Sequence, residues 1–180
     1  MIPRIVTRTT IILTVSTIIC AVLFYLCNMD FFLTMAITLG TIWYHFVMRL
    51  AVGKLVNVFA AGGLDYNNIW FRQKEFEPGL YKMLRVKRWK DKMPTYKPQD
   101  FVIREHSPQE IINTMCISEL VHEVIIVCSF IPIVFSKVWG AFWVFVLTSV
   151  AAAVFDLIFV ILQRYNRPRV VKVLDGKHNK

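Results

Sequence analysis

The sequence predicts an all-α integral membrane protein: four transmembrane helices with a cytoplasmic cap that contains a basic amphipathic interfacial helix. Three observations predict it. First, 56% of the 180 residues are hydrophobic, more than a soluble core of this chain length needs. Second, four apolar stretches reach or approach the roughly 17 to 25 residues that cross a bilayer as a helix; they fall at about 11–27, 31–52, 115–135 and 138–162. Third, ionisable residues inside these stretches recur at one depth, which is how a polar chamber inside a membrane looks in sequence. The whole chain, 1–180, reads as a single membrane domain, with 53–114 as a cytoplasmic cap loop within it and 163–180 as a basic cytoplasmic tail.

Arg4 and Arg8 precede the first apolar run in the manner of a signal peptide, but Asn28, Met29 and Asp30 offer no small-residue cleavage site before the next run begins. It reads as a retained helix. The second span carries His45 and Arg49 one turn apart. In the cap, Gly62-Gly63 and Asn67-Asn68 are turn signals, and Glu77-Pro78-Gly79 precedes a helical stretch from Leu80 to Asp91. Leu80, Tyr81, Leu84 and Trp89 supply its apolar face; Lys82, Arg85, Lys87, Arg88, Lys90 and Lys92 supply charge, as in a helix lying among lipid headgroups. Thr95 to Phe101, with Pro94 and Pro98, reads as an extended connector. Ser107-Pro108-Gln109-Glu110 matches an N-cap, a proline at the first helical position and a glutamate at the third, so the third helix starts in water. A turn at Ser136-Lys137 separates the last two spans, Arg164 and Tyr165 anchor the last one at the interface, and Pro168 stops it.

Orientation follows from the 21 lysines and arginines. Eleven lie between Lys54 and Arg104, six from Arg164 onward and two before the first span, whereas the turns at 28–30 and 136–137 hold one between them. Short loops rich in these residues stay cytoplasmic, which places both termini and the cap there. The net charge of +9 expresses this topology and an attraction to anionic membrane lipids. No nucleic-acid module accompanies it, so nucleic acid is not an expected partner. Cys20, Cys27, Cys116 and Cys128 read as small apolar residues, and no Cys-x-x-Cys pair suggests zinc.

His45 lies seven residues from the cytoplasmic end of its span, His122 seven from the start of its own and Asp156 six from the end of its own. At about 1.5 Å per residue all three sit roughly 10 Å inside the cytoplasmic boundary. Glu119, His122 and Glu123 share one helix face through spacings of three and four. A histidine steadied by a carboxylate can take a proton from an alcohol and hand it to a leaving group. His122 with Glu119 is therefore the candidate catalytic pair, and His45, Arg49, Glu123 and Asp156 are expected to line the site. The plain alternative is that these groups join helices through interhelical hydrogen bonds. His45, His122, Glu119 and Glu123 also offer nitrogen and oxygen ligands, but no metal-binding spacing such as His-Glu-x-x-His supports a metal.

Three segments suggest a family: "LYKMLRVKRWKDKMP" (Leu80 to Pro94), "SELVHE" (Ser118 to Glu123) and "LQRYNRPRV" (Leu162 to Val170). Their order and spacing over roughly 70–170 resemble the glycosyl-4,4'-diaponeurosporenoate acyltransferases of staphyloxanthin-type carotenoid biosynthesis. Val86, Lys87, Trp89 and Lys90 match that family's basic Trp segment, and Glu119, Leu120 and His122 match its Glu-Leu-x-His; Glu123 stands where the pattern has an aromatic residue. The resemblance implies a small multi-pass enzyme of the bacterial cell membrane that moves a fatty acyl group onto a sugar hydroxyl of a glycosylated lipid. The expected donor is acyl-CoA or acyl carrier protein, with no bound cofactor. Lys87, Arg88, Trp89, Lys90, Tyr165, Asn166, Arg167 and Arg169 are the expected donor and headgroup contacts, with Arg49, Tyr165 or Asn166 as oxyanion donor. Competing classes are a small membrane lipid methyltransferase, for which no Gly-rich nucleotide loop is visible, and a non-enzymatic scaffold or lipid-binding subunit.

Overall fold

Where no water is at hand, every backbone N–H and C=O must find its partner within the segment, so long apolar runs become helices. The computed structural model describes residues 2–94, 98–102 and 105–178, with no strand among them. Helix α1 is Ile2–Cys27 and α2 is Asp30–Phe59; the cap holds α3 (Glu77–Met83) and α4 (Val86–Trp89); α5 (Pro108–Cys128), α6 (Pro132–Trp139) and α7 (Phe142–His178) follow. Four helical stretches are long and apolar enough to cross a membrane: Arg4–Cys27, Asp30–Phe59, Pro108–Trp139 and Phe142–Lys172. Ile11, Ile12, Val15, Ile18, Ile19 and Val22 of α1 are all exposed, an aliphatic surface of the kind that contacts lipid.

The expected capping box is present: Glu110 N–H donates to Ser107 Oγ (3.2 Å) and Ser107 N–H donates to Glu110 Oε2 (2.7 Å). Five local expectations need correction. The third span is interrupted between α5 and α6, because Pro132 has no N–H for the Cys128 carbonyl; Ile131 N–H (3.1 Å) and the Tyr44 hydroxyl (2.9 Å) donate to that oxygen instead. The turn before the last span falls at Gly140 and Ala141, both at positive φ (68° and 43°), and not at Ser136-Lys137. Pro168 does not stop α7, which runs on to His178. Val170, Val171 and Leu174 beyond it pack against the core of Phe71, Ile112 and Cys116, and that burial outweighs one lost hydrogen bond.

The single cap helix expected over Leu80 to Asp91 is broken at Arg85, which adopts a left-handed conformation (φ 50°, ψ 39°) between α3 and α4. Tyr81 and Val86 are both buried, yet five residues apart they would point about 140° away from each other on an unbroken helix. The break lets both go inward. Of the expected extended connector, Thr95 to Lys97 lie outside the described residues, and Pro98–Phe101 is a 3-10 turn.

The chain divides into two compact units, Met1–Lys54 with Val124–Asp156, and Leu55–Glu123 with Leu157–Lys180. In the first, Trp43 Nε1 donates to Thr14 Oγ1 (2.7 Å), and α2 approaches α1 at Gly40, where an added Cβ would lie 3.6 Å from Thr17 Cγ2. In the second, the Leu64 N–H donates to Asn113 Oδ1 (2.7 Å) directly after Gly63, whose φ of 86° reverses the chain at the end of α2.

Candidate active site

Glu119 is completely buried in α5, and an unpaired carboxylate there would cost several kcal/mol. Both its oxygens carry a guanidinium: Arg164 Nη1 donates to Oε1 (2.5 Å) and Arg167 Nη1 to Oε2. Arg164 and Arg167 are three residues apart on α7, so both reach the same side of that helix. Arg164 also donates to Glu77 Oε1 through Nε (2.9 Å) and Nη2 (2.6 Å), and Glu77, itself buried, accepts from the Tyr81 hydroxyl (2.6 Å). Arg164 also donates to the carbonyls of Trp70 (3.1 Å) and Arg72 (3.0 Å), and Arg167 to that of Phe71. Two carboxylates and two guanidiniums thus neutralise each other and clamp the cap backbone at 70–72 against α5 and α7 within the second unit. Burial, then the hydrogen bond to Glu77, pushes the Tyr81 phenol above its ordinary value near 10.

The ring of His122, half-buried one turn from Glu119, stacks on Phe159 with centroids 4.8 Å apart and planes 12° from parallel. Glu123 accepts from Trp70 Nε1 (2.8 Å), and Gln163 Nε2 donates to Ser118 Oγ (3.2 Å), a further link between the two motifs. His45, Arg49 and Asp156 belong to the first unit. There Arg49 pairs with Asp156 and donates to the His45 carbonyl (3.1 Å). His45 is buried and, among the described residues, neither of its ring nitrogens has a hydrogen-bond partner.

On the surface of the second unit lies a groove of about 540 Å3, lined by Lys82, Arg85, Lys87, Arg88, Arg169 and Lys172 together with Tyr81 and Tyr165. Among the described residues no carboxylate lines it. The Tyr81 and Tyr165 rings meet edge to face with centroids 5.2 Å apart, and the Arg169 guanidinium lies 3.7 Å over the Tyr165 ring. Of the expected donor contacts, Lys87, Arg88, Tyr165 and Arg169 line this groove. Trp89, Lys90, Asn166 and Arg167 do not. Trp89 Nε1 donates to the Leu84 carbonyl (2.9 Å), Lys90 pairs with Asp91 (2.6 Å), and Arg167 is buried on Glu119.

Sequence reasoning missed Glu77 and Arg164 as members of the buried web and Lys82, Arg85 and Lys172 as members of the groove. The i, i+3 pair of arginines facing a buried glutamate was a usable signal for the web; nothing local identified Glu77.

The web, His122 and the groove all fall between residues 70 and 172. A family model, CrtO, described as glycosyl-4,4'-diaponeurosporenoate acyltransferase, matches residues 67–176. No curated protein and no solved structure matches. The matched segment covers more than half of the chain and contains every group of the web and the groove, and the protein therefore belongs to the glycosyl-4,4'-diaponeurosporenoate acyltransferase family.

Proposed function

We propose that the protein esterifies a sugar hydroxyl of a glycosylated lipid, a glycosyl carotenoid or a related glycolipid, with a fatty acyl group from a cytoplasmic thioester. It works in the bacterial cell membrane with both termini and the cap on the cytoplasmic side. The observation that carries the reading is His122 one turn from the buried Glu119, with Glu119 tied to Arg164 and Arg167 inside the matched segment. Three charges buried and a fourth half-buried in a membrane-spanning protein are a costly way to join helices and a suitable way to hold a reacting group still.

In the mechanism, the imidazole of His122 takes the proton of the sugar hydroxyl, and the oxygen attacks the thioester carbonyl carbon. Asn166 or Tyr165 donates to the oxyanion. Collapse breaks the carbon–sulfur bond, and the leaving thiolate takes the proton from the imidazolium, giving an ester and a free thiol. Glu119 acts as the electrostatic centre of the web that positions α5 beside α7. Phe159 holds the plane of the His122 ring.

The test is acyl transfer in proteoliposomes holding a glycosylated lipid, supplied with a labelled acyl thioester and read by mass spectrometry of the lipid product. His122→Ala should lower turnover by about 10² to 10⁴, the usual contribution of a general base, with membrane insertion intact. Near-normal turnover in purified His122→Ala would reject this base.

A further inference from the structure

The basic groove gathers six cations of the second unit among the described residues. We propose that it binds the nucleotide end of coenzyme A, with the 3'-phosphate and the pyrophosphate among its cations, so that the donor is an acyl-CoA. This rests on the acyltransferase reading and selects its donor.

Three features carry the inference. The first is charge. Among the described residues six cations and no carboxylate line one concavity, and Lys82, Arg85, Lys87, Arg88 and Lys172 have no ion-pair partner. In the same unit Arg164 pairs with Glu77 and Glu119, and Arg167 pairs with Glu119. Like charges gathered without counter-charge repel one another, and a bound polyanion relieves that. Coenzyme A brings about four negative charges, since a phosphate monoester carries nearly two at neutral pH.

The second feature is shape. A volume of about 540 Å3 lies within the roughly 300 to 1,000 Å3 typical of small-molecule sites. A carrier protein presents a single prosthetic phosphate on a folded surface, and would need a broad basic face more than a concave one.

The third feature is strain. Arg85 holds a left-handed backbone conformation (φ 50°) at the break between α3 and α4, and its side chain lines the groove. A non-glycine residue in that region is unfavourable, and such residues cluster at ligand and active sites. The same break turns Lys87 and Arg88 to the groove that Tyr165 and Arg169 enter from α7.

The experiment measures calorimetric binding to the full chain in nanodiscs of zwitterionic lipid, with coenzyme A, dephospho-coenzyme A and inorganic pyrophosphate as probes. A parallel titration uses nanodiscs containing an anionic lipid, and transfer is assayed with acyl-CoA and with acyl carrier protein. Coenzyme A should bind about tenfold or more tightly than dephospho-coenzyme A, because a hydrogen bond to a charged group contributes enough for that ratio. Arg85→Gly should weaken coenzyme A by a similar factor with thermal stability kept or raised, since glycine tolerates the backbone there. Arg88→Ala and Lys172→Ala, at exposed positions, should weaken it too, whereas Lys137→Ala, an exposed cation that does not line the groove, should not.

Equal affinity for coenzyme A and pyrophosphate, or groove variants that bind like the wild type, would overturn the proposal. Loss of all binding in anionic nanodiscs would assign the groove to lipid headgroups instead. Transfer from acyl carrier protein without coenzyme A binding would reject the groove assignment and keep the transferase; coenzyme A binding without transfer from either donor would do the reverse.

Discussion

Glu119 and Glu123 lie one turn apart on α5 and should respond very differently to the same substitution. Glu119→Gln removes the charge of a fully buried carboxylate that both Arg164 and Arg167 face. Breaking a buried pair from one side typically costs about 3 to 5 kcal/mol, so its thermal midpoint, read by tryptophan fluorescence in detergent, should fall by several degrees or the protein should fail to fold. Glu123 is partly exposed and makes one neutral contact with Trp70, so Glu123→Gln should cost about 1 kcal/mol or less and spare transfer. Tyr81 adds a pH dependence whose sign follows from its environment. Burial and the bond to Glu77 raise its folded pKa above the ordinary value near 10. The folded state therefore keeps this proton over a range where the unfolded state loses it, and the stabilisation present below about pH 10 is lost as pH rises further. Tyr81→Phe should lose about 1 kcal/mol at neutral pH and show a shallower alkaline decline in stability than the wild type; identical alkaline profiles would sink the assignment.

At the scale of the elements, the joints between helices set where side chains point. Gly140 closes α6 at φ 68° and ψ −129°, a region open essentially to glycine alone. Gly140→Ala should destabilise by about 1 to 3 kcal/mol. Gly53 lies within α2 with nothing within 4 Å of an added Cβ, so Gly53→Ala should stabilise by about 0.5 to 1 kcal/mol through the lower backbone entropy of alanine. Comparing the two midpoints in one detergent tests this reading of the turn. If both changed alike, the joint would not be set by backbone conformation.

For the whole molecule, the lysine and arginine bias predicts that the turn at 28–30 and the end of α7 lie on opposite sides of the membrane. Single cysteines introduced at Asn28 and Lys177 in a background lacking the four native cysteines should label from opposite sides of sealed vesicles with an impermeant maleimide. Labelling of both from one side would defeat the four-span topology.

The helices and their approximate spans were legible in the sequence because a bilayer leaves little choice: an apolar run of sufficient length must satisfy its own backbone. The capping box at Ser107 and Glu110 was legible for a similar reason, since it is completed within four residues. The ion pairs of Glu119 with Arg164 and Arg167 were not read from the sequence, which assigned Glu119 to His122. The burial of Glu119 demanded cations, but Arg164 and Glu77 are 45 and 87 residues from their respective partners Glu119 and Arg164. The passage of α7 through Pro168, the break at Arg85 and the gathering of six cations in one groove were decided by tertiary packing. At Pro168 and Arg85 the burial of side chains outweighed a local preference of about 1 to 3 kcal/mol, and the groove joins cap residues to α7 residues; both exist only once the helices have met.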